Sequence, residues 1–545
     1  MKTMKKLFAL LLAVLMVMGM ATTAMADDVT ITIKNEDNDH SYQAYQIFTG
    51  TLDSTSGIFT NVEWGDGVNK VELIAALKAN TAAFGTAFAD IDDNNPDAKA
   101  VAKILGGWSY NESHVKNFAD EVNNCVTGTS IPFTYDDINK KHVATVNALG
   151  YYFIKEVVPG TNNLNHTEGF TDYLLAVTNS AEIEPKTSKP TFEVTVDYRE
   201  NGTYGKGVDV QVDDPIYIRM TSKLPELYAD YHQYYLRYEL TLPDGIVFPD
   251  EAERMSQVYL LHGNGTTTDA AASRYTVTYV GNKVTVDIHD LKKGVMNLND
   301  TLVFKTKAIL DDPKVIGKGN ASSLGNVING AMYFSNNMNE KSPTTNPSVD
   351  DVSHAKMTDS VSVYTYQIQF QKIDSLNTAT VLPGAEFKLY RKITTEGATP
   401  DTFMYAICDN NGVITGWTPT ESDGTTVNSD ANGNFIFKGV DAAAYHLKET
   451  KAPAKYNAME EPVLVTISAT ITGNNLEKLS CIADGATTNG TPNDGLINNV
   501  PIRNTLGSTL PETGGIGTTI FYIVGGVLVL GAGAAFVMKR RNEEA

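Results

Sequence analysis

Apolar and polar residues alternate at every second position over much of this chain, the spacing of strands with one face in a core and the other in water. Val29-Thr30-Ile31-Thr32-Ile33-Lys34 reads this way, and residues 42–48 follow as a second strand. From about Val68 to Val126 the spacing becomes helical, with Val71, Ile74 and Leu77 on one face and Val115, Phe118 and Val122 on another. Strands resume at Tyr151-Tyr152-Phe153-Ile154, so residues 27–185 are predicted to form a β domain with a helical insertion, closing near Glu184. The next stretch is strand after strand, at 192–196, 208–212, 235–242, 275–288 and 302–309, punctuated by Asn201-Gly202, Asp244-Gly245 and Gly263-Asn264-Gly265. No helical pattern longer than a turn or two competes, which predicts a β-sandwich over residues 186–355. Its end is marked by the polar, proline-bearing Lys341-Ser342-Pro343-Thr344-Thr345-Asn346-Pro347. A third sandwich is expected over 356–507, opening with Ile368-Gln369-Phe370-Gln371-Lys372 and closing with Val500-Pro501-Ile502-Arg503-Asn504. The predicted class is mainly β, three tandem immunoglobulin-like sandwiches.

Both ends depart from this pattern. Residues 1–26 have a basic start (Lys2, Lys5, Lys6), an apolar centre over 7–20 and Ala24-Met25-Ala26 as a small-x-small cleavage site, which reads as a secretory signal peptide. Residues 508–545 carry Leu510-Pro511-Glu512-Thr513-Gly514, an apolar run from about Ile520 to Met538, and Lys539-Arg540-Arg541. As a helix rising about 1.5 Å per residue, that run spans a little under about 30 Å, enough to cross a bilayer. The basic cluster would stay on the cytoplasmic side.

The net charge of −21 argues against nucleic acid and anionic membrane surfaces as partners, since both require a basic face. Three cysteines occur, Cys125, Cys408 and Cys481. Cys408 and Cys481 are candidates to pair, but an odd, sparse set is no disulfide framework, so something other than sulfur must staple an exported chain. There is no His-Glu-x-x-His, no Cys-x-x-Cys, no glycine-rich phosphate loop and no Gly-x-Ser-x-Gly, and the histidines are scattered. No metal-ligand set, no cofactor and no enzymatic turnover are expected.

Two segments echo each other across domains: Tyr152-Phe153-Ile154-Lys155-Glu156 and Tyr445-His446-Leu447-Lys448-Glu449. Strand geometry puts the tyrosine, the central apolar residue and the glutamate on one face, towards the core. An ionised glutamate buried without a partner would be destabilising by several kcal/mol, so each of these must protonate or meet a partner.

Several of these features resemble known families. In their order, Leu510-Pro511-Glu512-Thr513-Gly514, the apolar run and the basic tail resemble the sorting signal that sortase transpeptidases read in Gram-positive bacteria. That resemblance implies cleavage between Thr513 and Gly514 and transfer of the threonine acyl group to an amine. The second echo, with Thr450-Lys451-Ala452-Pro453, resembles the glutamate box of collagen-adhesin B-type domains. Phe370-Gln371-Lys372-Ile373-Asp374 and Leu382-Pro383-Gly384-Ala385-Glu386-Phe387 match that family's opening strands. The resemblance implies that the Lys372 amine condenses with Asn504 on the last strand, losing ammonia, with Glu449 as the catalytic carboxyl. Burial lowers a lysine pKa and raises a carboxyl pKa, so a neutral amine would attack while a protonated Glu449 polarised the amide and shuttled the proton. In the first domain the matching trio is Lys34, Glu156 and Asn179, with Lys34 equally readable as a solvated strand residue. In the middle domain the family's bonding lysine and acid fall on Val194 and Leu240, although the acceptor region Tyr333-Phe334-Ser335-Asn336-Asn337 is present. No internal bond is expected there, because one charge buried alone is worse than two apolar side chains.

The linker Glu182-Ile183-Glu184-Pro185-Lys186-Thr187-Ser188-Lys189-Pro190 resembles the pilin motif of backbone pilins. It implies Lys186, or alternatively Lys189, as the nucleophile that receives the threonine of another subunit. The combined resemblance is to an LPXTG-anchored major pilin of a Gram-positive sortase-assembled pilus, secreted and anchored to the cell wall. Its implied partners are sortase, identical subunits, minor pilins and peptidoglycan or its precursor, with the membrane engaged by the C-terminal helix before sorting. A minor pilin or wall-anchored adhesin binding a host ligand is the alternative, and a tethered secreted hydrolase is disfavoured by the absent motifs.

Overall fold

The computed structural model describes residues 29–543 apart from 39, 109–112, 158–163, 166, 170–171, 185–187, 199–201, 295, 313–325, 339, 341–347, 394–401 and 509–515. The expected signal peptide, Lys186 and the Leu510–Gly514 motif therefore lie outside the described residues.

In the first unit, strand Val29–Ile33 pairs antiparallel with Lys141–Val146 and parallel with Ala181–Ile183. A second sheet contains Phe59–Trp64, Tyr42–Leu52, Gly150–Glu156 and Tyr173–Val177. Tyr42–Leu52 is covered on both faces, which explains its poor alternation. Tyr42 and Ala44 face the first sheet with Ile31 and Ile33, while Tyr45, Ile47 and Phe48 face the helices. Those helices are Lys70–Ala79, Thr81–Phe84, Ala98–Leu105 and Ser113–Asn124. The last buries Val115, Phe118 and Val122 as its spacing predicts. The first buries Leu73, Ile74 and Leu77 but leaves Val71 exposed at 41%. A stride of three falls short of a full turn by about 60° per step, so Val71 drifts off the face that Ile74 and Leu77 share.

The middle unit is a sandwich of two sheets. One holds Thr191–Tyr198, Pro215–Lys223, Thr301–Leu310, Ser256–Leu261 and Thr267–Asp269, with Ile246–Val247 paired to Thr301–Leu310. The other runs Gly207–Asp209, His354–Tyr364, Asn326–Ser335, Leu236–Thr241, Lys283–Ile288, Tyr275–Val280. Residues 275–288, read as one strand, are a hairpin that turns at Gly281, where φ is +58°. Residues 354–363 of His354–Tyr364 pair with Asn326–Ser335, so the expected boundary at 355/356 falls inside a strand of the middle sandwich.

Only Thr365 separates that strand from Tyr366–Asp374, the first strand of the third unit. Tyr366–Asp374 sits between Asn434–Val440, antiparallel, and Leu496–Asn504, parallel. First and last strands are thus neighbours. This three-stranded sheet packs on an eight-stranded one that includes Glu386–Ile393, Ala444–Lys451, Val463–Thr472 and Asn475–Ala483. One apolar core runs through the middle and third units. Beyond them lies the helix Ile516–Glu543, whose apolar stretch Thr519–Arg540 is 22 residues long. Cys125, Cys408 and Cys481 are all free thiols, so the candidate pair is not formed. Burial raises the Cys408 and Cys481 thiols to about 12.

Candidate functional site

Alternation along Tyr366–Asp374 turns Tyr366, Ile368, Phe370 and Lys372 into the core, all at 1% exposure or less. A lysine at the end of an inward-facing apolar row loses its hydration, and burial lowers its pKa to about 8 although Glu449 pulls it upward. Its ammonium nitrogen lies 5.3 Å from the Phe387 ring centre and 3.5 Å from Met459 Sδ. Asn504, on the adjacent last strand, is 3% exposed and accepts a short hydrogen bond from Lys372 Nζ through Oδ1. Glu449 comes from the facing sheet, where Tyr445, Leu447 and Glu449 share one face. Its side chain is fully buried, and Oε1 lies 3.3 Å from Lys372 Nζ.

The amide orientation follows from its surroundings. Asn504 Nδ2 donates to the Asn457 carbonyl at 2.9 Å, and a carbonyl oxygen only accepts, so the group facing it is the amide nitrogen. The same nitrogen donates to Glu449 Oε1 at 3.0 Å and Oε2 at 3.1 Å, while Oε2 also accepts the Met459 N–H at 2.9 Å. The glutamate therefore faces the amide nitrogen, and Oδ1 is turned towards the lysine. This geometry places the carboxyl where it could deliver a proton to the amide nitrogen. The Asn457 carbonyl and the Met459 N–H carry no warning in the sequence, because any residue supplies such backbone groups.

The first domain differs. Lys34 follows the inward Ile33 and so points outward, where it pairs with Glu182 at 2.9 Å and Glu184 at 3.7 Å. Asn179 lies exposed in a bend before Ala181–Ile183. Glu156 is buried as predicted from its face, but its Oε1 meets His40 Nδ1 at 2.7 Å. Lys34, Glu156 and Asn179 are therefore not brought together, a correction that strand alternation explains: the inward position before Lys34 holds isoleucine. His40, read as one of the scattered histidines, is the partner sequence reasoning missed. In the middle domain Val194 and Leu240 are both fully buried and apolar, and Asn336 is buried at 1%.

The linker is clamped just after Lys186. Ser188 exchanges backbone hydrogen bonds with Gly169 of the first domain at 3.0 and 3.3 Å. Ser188 Oγ accepts the Leu227 N–H of the middle domain at 3.1 Å. The neighbouring Lys189 side chain is 56% exposed, 3.8 Å from Glu168, a contact that contributes little in water.

Residues 366–477 match the family described as a prealbumin-like fold domain (SpaA), and residues 507–545 match the LPXTG cell wall anchor motif. The chain thus carries a cell-wall anchor signal of Gram-positive type directly after the domain that holds Lys372, Glu449 and Asn504. Over 282 residues it is 26% identical to the trypsin-resistant surface T6 protein of Streptococcus pyogenes serotype M6, covering 43% of this chain. That match spans about half (48%) of the relative's length. Among solved structures, the T6 backbone pilin of Streptococcus pyogenes aligns at 15% identity and a TM-score of 0.47, covering 89% of this chain and 100% of that one. The full-length major pilin SpaD of Corynebacterium diphtheriae aligns at 14% identity and a TM-score of 0.45, covering 90% of this chain and 100% of that one.

Proposed function

We propose that this chain is the shaft-forming subunit of a sortase-assembled pilus, built to bear tension through amide bonds within and between subunits. The observation that carries the reading is a buried Lys-Glu-Asn cluster joining the first and last strands of the domain that precedes an LPXTG anchor.

Within the third domain, neutral Lys372 Nζ adds to Cγ of Asn504 and the Cγ–Nδ2 bond breaks. The proton leaving Nζ passes through Glu449 to Nδ2, which departs as ammonia and leaves a secondary amide. Burial supplies the neutral amine and folding supplies proximity, so no cofactor takes part. Between subunits, sortase breaks the Thr513–Gly514 peptide bond and the threonine acyl group passes to Lys186 of the next copy. Lys189, whose side chain meets Glu168, is the alternative acceptor. The apolar helix holds the chain in the membrane until that exchange frees it, and peptidoglycan or its precursor receives the base of the fibre.

Replacing Lys186 and Lys189 singly and together, then separating cell-wall extracts on a denaturing gel, tests the reading. Lys186→Ala is expected to abolish the high-mass ladder while Lys189→Ala keeps it. A ladder that survives the double replacement removes the shaft role and favours a minor pilin or a wall-anchored adhesin.

A further inference from the structure

A short strap of chain lies over the Lys372 cluster. After Ala444–Lys451 the chain turns at Pro453, whose carbonyl accepts the Tyr456 N–H at 3.1 Å, with Lys455 at a φ of +76°. Residues 455–459 then cross the site and zip to the chain beyond Asn504. The Asn457 N–H donates to the Thr505 carbonyl at 3.0 Å, the Gly507 N–H donates to the Lys455 carbonyl at 2.9 Å, and Tyr456 stands opposite Leu506 in this antiparallel bridge.

Tyr456 also fixes the strap from the side. Its hydroxyl donates to Asp374 Oδ2 at 2.8 Å, at the end of the first strand and opposite Asn504 in the parallel register. Asp374 is itself held, because its Oδ1 accepts the N–H groups of Leu376 and Asn377 at 2.7 and 2.8 Å. The strap residues that follow Tyr456 meet the cluster directly. Asn457 presents its carbonyl to Asn504 Nδ2, and Met459 presents its N–H to Glu449 Oε2.

The Met459 side chain limits what the amine can touch. A lysine ammonium has three N–H groups, and here the acceptors beside it are Asn504 Oδ1, Glu449 Oε1 and Met459 Sδ. A thioether is a weak acceptor, so the charged form is poorly satisfied on that side. Partly buried, Met459 lies against the amine where water would otherwise solvate it. The two carboxylates that act on the amine both favour its charged form: Glu449 from the facing sheet, and Asp484, whose Oδ2 accepts the Arg503 N–H at 2.9 Å. Desolvation outweighs them.

We propose that Tyr456 is a positioning residue for the Lys372–Asn504 linkage and Met459 its water shield: the tyrosine pins the strap through Asp374, and the strap closes only when residues 505–507 have docked. The inference rests on the linkage proposed for this domain, in which the Nζ–Cγ bond forms, the Cγ–Nδ2 bond breaks and ammonia leaves. It adds an order to those events. The amine is dried after the last strand has paired, so the bond forms in a completed fold, and the tail that leads to Leu510–Gly514 leaves from a locked domain.

The test dilutes unreacted full chain from denaturant into detergent buffers over about pH 6–10 and follows ammonia loss by intact mass. Met459→Gln puts an amide oxygen beside the amine and Met459→Ala admits water. Each is expected to move the midpoint of the rate profile up by about one pH unit, which slows linkage about tenfold at pH 7. Met459→Leu, apolar and of similar volume, is expected to keep the midpoint of the unaltered chain. Tyr456→Phe keeps the ring but frees the strap, and is expected to slow linkage about tenfold at pH 7. A Tyr456→Phe chain that links at the unaltered rate overturns the proposal, as does an unmoved midpoint in Met459→Gln or a Met459→Leu midpoint that moves as far as that of Met459→Gln. No ammonia loss from the unaltered chain overturns the linkage itself, and this inference with it.

Discussion

In the proposed linkage the protonation of Lys372 decides whether its amine can attack, and burial shifts that protonation. With a pKa of about 8, roughly one amine in ten is neutral at pH 7, against roughly one in three thousand for a lysine at the ordinary 10.5. The charge is lost as pH rises through about 8, so linkage is expected to speed up about tenfold per pH unit below that point and level off above it. Diluting unreacted, denatured chain into buffers across that range and following ammonia loss by intact mass checks the profile. The same measurement separates the two domains: the chain is expected to lack one ammonia, and Glu449→Gln, Lys372→Ala or Asn504→Ala to restore it. A deficit of two would mean that Lys34 reacts after all. Glu449 was legible in the sequence because an acid on an apolar strand face needs a partner. His40 was not, because the loop that brings it to Glu156 has no periodicity.

At the scale of elements, the pairing of Tyr366–Asp374 with Leu496–Asn504 decides what a single bond there does. A link between residues 372 and 504 closes nearly the whole domain into one loop, and chain entropy gives it roughly 5 kcal/mol of stabilisation. Lys372→Ala is accordingly expected to lower the denaturant midpoint of the third domain sharply, with Glu449→Gln falling to a similar value because the bond is missing in both. In the middle sandwich the apolar replacements pack tightly. A Cβ on Gly330 would fall 2.4 Å from Val194 Cγ2, so Gly330→Ala is expected to destabilise this sandwich by about 1–3 kcal/mol in urea unfolding. Strands and turns here were readable because alternation and glycine turns are local. Which strands become neighbours was not, since pairing joins residues far apart in the chain.

At the scale of the whole molecule, the middle and third sandwiches act as one stiff body. Thr365, the only residue between their strands, is 3% exposed and donates to the Val440 carbonyl at 3.2 Å. Across the joint Asp209 accepts the Ala442 N–H at 2.9 Å, Arg391 meets Asp214 at 3.6 Å, and Asn474 donates to the Ser360 carbonyl at 3.2 Å. Burial raises the Asp209 carboxyl pKa, the mark of a polar group enclosed by both domains. Asp209→Ala leaves the Ala442 N–H unpaired and is expected to destabilise the joint by about 1–3 kcal/mol, splitting one calorimetric transition into two. Such stiffness matters in a chain whose predicted load path runs from linker to tail. By itself the sequence determined the mainly β class, the three-part order, the anchor-bearing tail and the buried faces of both Tyr-x-apolar-Lys-Glu strands, because each is written in local spacing or in a contiguous motif. Tertiary structure alone decided how Lys372, Glu449 and Asn504 are oriented to one another, that Lys34 does not join Glu156, and that His40 meets Glu156 instead. Those outcomes depend on distant strands brought side by side, and the direction of a side chain from such a strand turns on a shift of one residue.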